Sequence, residues 1–399
     1  MKEPPYTWVV VWATFVSLAV IFGVAYSFAA FFDSFALEFS AKRADVALVF
    51  GLTGLIYFAL GGVGGMLSDR FGARLVCSLG MLCIAAGLLL TSFAQSLNAV
   101  YLFYSVGIGF GIALAYTPAI GNVQPWFTAR RGLASGIASS GIGLGTLVVP
   151  LLAAMAIAGL EWRVALRVMG AGVMIVGLGS TLLLRRAQAP IARGADGADV
   201  LHNVKAALPG VTLAQALKDK RFWWFYLFTF TAAPTMFIPF AHVSASARDI
   251  GISDANAVGL VGLIGIGSLV GRFAISALAD RMGRILTLTL MQASMAATYL
   301  LWIASGGYPG LAVFALWFGL SYGGIVSLMP AICMDLFGAR AVAGIIGTLY
   351  TGAAVGNLLG PVAAGAVFDR MGSYHPVLWL CLALSVVSIF ASTRIKTRT

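Results

Sequence analysis

Apolar residues fall along this chain in long blocks, with most charged residues in the gaps between them. Breaking the sequence at those gaps gives twelve apolar runs, at 7–32, 46–67, 76–94, 99–122, 132–157, 163–184, 222–247, 256–278, 285–305, 309–333, 341–367 and 374–392. Each is close to the ~20 residues that a helix needs to cross a bilayer. The pattern predicts an all-α membrane protein with twelve transmembrane helices. The longest polar stretch, 185–221, splits the runs six and six. It defines an N-terminal half (1–184), a cytoplasmic linker (185–221) that turns mildly amphipathic from Val211 to Leu217, and a C-terminal half (222–399).

Composition agrees. Hydrophobic residues make up 60% of the chain and charged residues 10%, against about 25% charged in a soluble domain. The 48 glycines suit close helix packing in a membrane. The first run, from Thr7 to Phe32, is too long for a signal-peptide core and lacks a small-residue cleavage site, so it reads as the first span. The net charge of +11 would suit nucleic acid, but its placement points to topology. Lys and Arg assigned to alternate sides of the runs divide 18 against 6, with Arg272 left inside a span. Both termini and the central linker are therefore expected in the cytoplasm, with no nucleic-acid partner. Cys77, Cys83, Cys333 and Cys381 lie in or at the edge of apolar runs and read as packing residues, with no metal or cofactor expected.

The halves repeat each other. Asp69 and Asp280 are 211 residues apart, Pro150 and Pro361 also 211, and the Pro-Ala-Ile tripeptides beginning at Pro118 and Pro330 212. A near-constant offset indicates duplication. Paired halves with a solute site at their shared midplane are a transporter architecture. Gly65-x-x-x-Asp69-Arg70-x-Gly72-x-Arg74, echoed by Asp280-Arg281-x-Gly283-Arg284, resembles the cytoplasmic loop motif of the major facilitator superfamily. The resemblance implies two pseudo-symmetric six-helix halves. A carboxylate at a helix end pairs with nearby arginines and helix N-termini, so Asp69 is expected to latch the halves on the cytoplasmic side. Gly65, Arg70, Gly72, Arg74, Asp280, Arg281, Arg130 and Arg131 complete that expected gate.

The stretch 126–141, WFTARRGLASGIASSG, resembles the fifth-span signature of monocarboxylate porters. Phe127, Arg130, Arg131, Leu133, Ala134, Gly136, Ala138 and Gly141 carry the likeness. The chain also departs from the eukaryotic members. Pro4-Pro5-Tyr6-Thr7-Trp8 replaces their acidic leading signature, alanine (29–30) stands where their first-span lysine would be, and Ser268 replaces the aspartate four residues before their eighth-span arginine. The chain thus resembles a bacterial branch of these porters, near the oxalate/formate exchangers. That implies a multi-pass protein of the bacterial inner membrane, functional as a monomer. The Gly360-Pro361 segment of the eleventh run resembles a motif linked to antiporters, although helix flexibility explains it equally well.

Arg272 is the candidate anchor. It lies in an otherwise uncharged run from Asn256 to Leu278, and a cation at bilayer depth costs roughly 2.5–3.5 kcal/mol on insertion scales unless it faces a cavity. By helical rise it sits roughly 12 Å before Asp280 and roughly 27 Å beyond Asp254, near the midplane. Tyr116 and Tyr322 come to similar depth from the fourth and tenth spans. Ser268 shares a helix face with Arg272 at i,i+4. His242, near the outer edge, is a candidate protonatable gate, and Tyr26 and Asn357 complete the expected substrate-binding set.

One cation suits a monocarboxylate, because a dicarboxylate usually needs two, and the eleventh run contains no Lys or Arg. The expected function is secondary transport of lactate- or pyruvate-like acids by alternating access, coupled to protons. The alternative is an organic-anion exchanger without proton coupling. A cationic drug exporter would want a mid-span acid, and Asp33 sits at a span end. No HExxH, GxSxG, P-loop or Cys/His cluster supports an enzyme, and a sensor would carry an added domain.

Overall fold

The computed structural model describes residues 6–123, 126–127, 131–185, 210–338 and 340–395. Eleven stretches are long and apolar enough to cross a membrane, and one of them, Gly136–Leu182, has 47 residues. At 1.5 Å per residue that is about 70 Å, more than twice a ~30 Å hydrocarbon core. The chain turns within it at Glu161, where φ is 67°, so it makes two crossings.

The described residues therefore hold twelve spanning helices: α1 (Tyr6–Glu38), α2 (Arg43–Phe71), α3 (Ala73–Thr91), α4 (Leu97–Val123), α5 (131–160), α6 (162–182), α7 (Lys220–Asp249), α8 (Asp254–Met282), α9 (Arg284–Ala304), α10 (Tyr308–Phe337), α11 (Val342–Met371) and α12 (His375–Thr393). No strand occurs among them, only an isolated bridge between Gly210 and Gly338. The first helix runs beyond the expected 7–32 because Asp33 does not end it. That carboxylate finds Arg248 Nη1 at 3.0 Å.

Helices that alternate in direction put Tyr6 and the end of α12 at one end of the bundle, called here the terminal end. The turns at 39–42, 161 and 250–253 lie at the opposite, distal end. The duplication is visible in the turns. Gly72 (φ 87°) and Gly283 (φ 91°) close α2 and α8 alike, each N–H reaching back four residues, to Ser68 O at 2.8 Å and Ala279 O at 2.9 Å. Such φ values favour glycine. Pro118 in α4 and Pro330 in α10, and Pro150 in α5 and Pro361 in α11, sit inside helices at matching places. Each removes one backbone bond, and only protein packing makes that tolerable at membrane depth. Outward faces carry exposed Leu, Val and Phe, such as Leu89, Leu152, Met155 and Phe390, as a lipid-facing surface requires.

The two halves meet along α2 with α11 and α5 with α8, and through the distal arm of α1 against α7. Toward the distal end α2 and α11 touch backbone to backbone. A Cβ at Gly365 would lie 2.6 Å from Ala44 N, and the Asn357 side chain occupies the space beside Gly54. Toward the terminal end they diverge, with Gly62 and Gly347 having nothing within 4 Å. Ion pairs tie the distal end across the halves. Arg43 grips Asp249 with both guanidinium nitrogens, at 2.7 and 2.5 Å. Asp369 accepts the backbone N–H groups of Arg43 and Ala44, each at 2.9 Å. The bundle is thus shut at the distal end.

Valine at position 54 would overpack the α2–α11 crossing at a cost of about 1–3 kcal/mol, whereas valine at position 62 meets open space. Thermal unfolding in detergent is expected to show a lower midpoint for Gly54→Val and little change for Gly62→Val.

Candidate functional site

A cavity of about 50 Å³ lies where α1, α2, α4, α7, α8, α10 and α11 converge, with Phe22, Tyr26, Tyr57, Phe58, Tyr116, Phe237, Arg272, Tyr322 and Tyr350 in its wall. α8 presses closely on α10 because both are glycine-rich at the crossing. Cβ atoms at Gly267 and Gly271 would collide with α10 backbone, and those at Gly319 and Gly323 with α8 backbone. That close fit fixes the rotation of α8 and turns Arg272 into the cavity.

Among the described residues, Arg272 is the only Lys or Arg in the wall. It forms no ion pair with a described residue, and its Nε is buried without a hydrogen-bond partner. A buried N–H left unmade costs about 1–3 kcal/mol, more when charged, so the group is poised for an acceptor. It lies within electrostatic reach of the hydroxyls of Tyr26, Tyr116, Tyr322 and Tyr350. The Tyr26 and Tyr322 hydroxyls bond to each other at 2.9 Å across the halves, while Tyr26 stacks on Phe240 with centroids 4.1 Å apart. This pair, with Phe240, roofs the cavity on its distal side.

Four expected residues therefore converge: Arg272, Tyr116, Tyr322 and Tyr26. Three lie elsewhere. Ser268 is one turn from Arg272, its Oγ buried without a partner, but it does not line the cavity. Asn357 is fully buried at the α2–α11 crossing, donating to Gly51 O at 3.3 Å with its Oδ1 unpartnered. His242 lies on the distal side, bonded to Tyr374 and Pro361.

Sequence reasoning missed Tyr57 and Tyr350, which bring two further hydroxyls from α2 and α11. Depth alone could have found Tyr57, 14 residues after Arg43 and so roughly 21 Å along its helix.

Of the expected gate at the terminal end, Arg130 and the side chains of Asp69 and Arg131 lie outside the described residues. Arg70 stacks on Phe71, 5.2 Å from the ring centre. Gly72 makes the turn described above, Gly65 packs on Thr117, and neither Arg74 nor Arg281 forms an ion pair with a described residue. Asp280 pairs with Arg284 at 3.5 Å, and Arg284 with Asp335 at 2.7 Å. That echo of the motif binds within its own half.

A single guanidinium among phenolic hydroxyls and aromatic rings can bind a small anion away from bulk water. Among the described residues no His/Cys/Asp/Glu group could hold a metal ion.

These features define a polytopic helical membrane protein with a central solute cavity between two six-helix halves. The chain belongs to the Major Facilitator Superfamily, whose profile it matches over residues 13–350 and 235–398. It is 29% identical to monocarboxylate transporter 13 of Bos taurus, over 93% of this chain and 86% of that one. It is 26% identical to monocarboxylate transporter 12 of Mus musculus (96% and 84%) and 28% to monocarboxylate transporter 3 of Rattus norvegicus (94% and 76%). Among solved structures, a bacterial homologue of the human lysosomal transporter Spinster, in an inward-facing and unoccupied conformation, superposes with a TM-score of 0.73 at 16% identity over 98% of this chain and 96% of that one. The protein is a membrane transporter, not an enzyme.

Tyr322→Phe removes the hydroxyl bond that bridges the halves, an interaction worth about 0.5–1.5 kcal/mol. The expected outcome is a destabilised distal closure, read as faster reaction of a thiol probe with an Ala29→Cys reporter beneath it. Tyr299→Phe, outside the cavity wall, is the control.

Proposed function

We propose that this transporter carries small monocarboxylates of the lactate or pyruvate kind by alternating access, coupled to protons, with Arg272 as the carboxylate anchor. It acts as a monomer in the cytoplasmic membrane of a bacterium, with both termini inside. The observation that carries this reading is the unpaired Arg272 in a small, aromatic-walled cavity. A planar guanidinium matches a carboxylate with two parallel bonds. One cation neutralises one carboxylate, so the loaded cavity carries no net charge as the halves rock. The small volume favours few-carbon acids, and the relatives named as monocarboxylate transporters lend support.

A second reading is favoured by the same guanidinium. No carboxylate among the described residues neutralises Arg272 when the cavity is empty, and an uncompensated charge at membrane depth is costly. The empty carrier then rocks more slowly than the loaded one, which is the behaviour of an organic-anion exchanger without proton coupling.

Radiolabelled lactate uptake into proteoliposomes separates the two. Symport predicts accumulation driven by an inward proton gradient. Exchange predicts uptake that depends on unlabelled acid inside and ignores the gradient. In both, Arg272→Ala loses about 2–5 kcal/mol of anion binding, at least a ~30-fold fall in uptake at limiting substrate. Wild-type uptake of no monocarboxylate under either condition overturns the proposal.

A further inference from the structure

A second buried polar cluster lies on the distal side of the cavity, beyond the Tyr26–Phe240 roof. Its centre is His242 on α7, which is fully enclosed. Its Nε2 is 2.8 Å from the Pro361 carbonyl oxygen in α11, and its Nδ1 is 3.0 Å from the Tyr374 hydroxyl. A carbonyl only accepts, so Nε2 carries the hydrogen, and in the neutral ring Nδ1 is an acceptor. The Tyr374 O–H donates to it. The Tyr374 oxygen in turn accepts an N–H from Arg43 Nη1 at 2.8 Å. Arg43 belongs to the other half and holds Asp249 across the distal closure. One tautomer of the neutral imidazole thus completes a chain from α11 through α7 and the turn before α12 to the clamp on α2.

We propose that His242 is a proton-binding site that governs the distal gate: the neutral ring holds the gate shut, and a proton taken from water on the distal side opens it.

The hydrogen count gives the sign. A proton added at Nδ1 turns that acceptor into a donor aimed at the Tyr374 oxygen, which already receives the Arg43 N–H. The Tyr374 O–H then loses its acceptor, and a second cation, on a fully buried ring, faces Arg43 across one buried hydroxyl. Charged groups of the surrounding elements do not absorb the new charge where they stand. Asp369 of α11 is engaged by the Arg43 and Ala44 backbone, Asp249 of α7 by the Arg43 guanidinium, and Asp33 of α1 by Arg248. Phe32 of α1 packs edge-on to the imidazole with centroids 5.5 Å apart and brings no charge. The proton therefore leaves as the gate shuts, and acid favours the distally open state. One N–H bond forms at Nδ1 as one O–H bond of a hydronium ion on the distal side breaks, and the reverse happens when the proton leaves.

This inference rests on the rocking carrier proposed above but not on the anion carried, so its test uses no substrate. Spin labels go on Lys42→Cys and Ala255→Cys, both exposed at the distal end and one on each half, in a Cys83→Ser background because Cys83 is a partly exposed native thiol. Distance distributions are recorded in proteoliposomes at about pH 8 and about pH 5.5, a span over which histidine changes charge. In the wild-type background acid is expected to raise the long-distance population at least ~3-fold. His242→Gln, whose amide can serve both partners but cannot charge, is expected to keep the short distance at both values. Tyr374→Phe, which keeps the ring and breaks the relay, is expected to blunt the response, and it decides the matter should His242→Gln fail to fold. No acid response in the wild-type background, or an undiminished response in the folded variants, overturns the proposal. Failure of lactate uptake alone leaves it standing.

Discussion

A lone guanidinium held between two helical halves is the constraint around which the rest of this molecule is organised. Arg272 is partly exposed in a cavity of about 50 Å³, with its Nε buried and unpartnered, and no described carboxylate answers it. A membrane protein carries such a charge at depth only where a function requires it. The close seating of α8 on α10 is what makes the position specific. Glycines on both helices let the backbones approach, which fixes the rotation of α8 and hence the direction of Arg272. The aromatic wall then limits the occupant, with Tyr26, Tyr322 and Phe240 closing it on one side.

The two halves share a backbone plan but not a cavity chemistry. With the offset of 211 residues seen for Asp69 and Asp280, Arg272 corresponds to Gly61 (272 − 211), and Tyr57 corresponds to Ser268 (57 + 211). At these paired positions one half supplies a cation and the other a phenol, while Tyr322 and Tyr350 bring further phenols from the cation-bearing half. The turns at Gly72 and Gly283 keep the same geometry, as do the helix-interior prolines. The halves share their turn and proline geometry and differ in the residues they place at the centre. The distal end shows the same division of labour. Arg43 from one half closes on Asp249 and Asp369 from the other, and the His242 chain stiffens that grip from behind.

The fold was legible because a bilayer leaves the backbone few choices. Every backbone polar group in the hydrocarbon core must be satisfied internally, so apolar length translates almost directly into helices. The one ambiguity, the 47-residue stretch, is settled by length, and the turn falls at Glu161 in the short gap, 158–162, between the two runs. Arg272 was legible as the sole charge in its run. The tyrosines were less so. A mid-span Tyr faces lipid, a neighbour or a cavity according to how its helix is rotated, and that rotation is set by contacts far away in sequence. Tyr57 and Tyr350 escaped notice for this reason. His242 stood out as a candidate protonatable gate near the outer edge, but its partners lie 119 and 132 residues onward, and no local pattern announces them. Asn357 likewise reads as a site residue in sequence, yet its side chain fills the space left by Gly54.

The central claim is that Arg272 stands unpaired in order to receive a carboxylate. The most direct measurement is a calorimetric titration of the purified protein with lactate, pyruvate and a neutral isostere such as lactamide, repeated with Arg272→Gln. The account predicts saturable heat with the acids only, abolished by Arg272→Gln while the variant's thermal midpoint stays near or above that of the parent, since an unpaired charge at membrane depth is gone. Equal binding of acid and amide, or acid binding that survives Arg272→Gln, would contradict it.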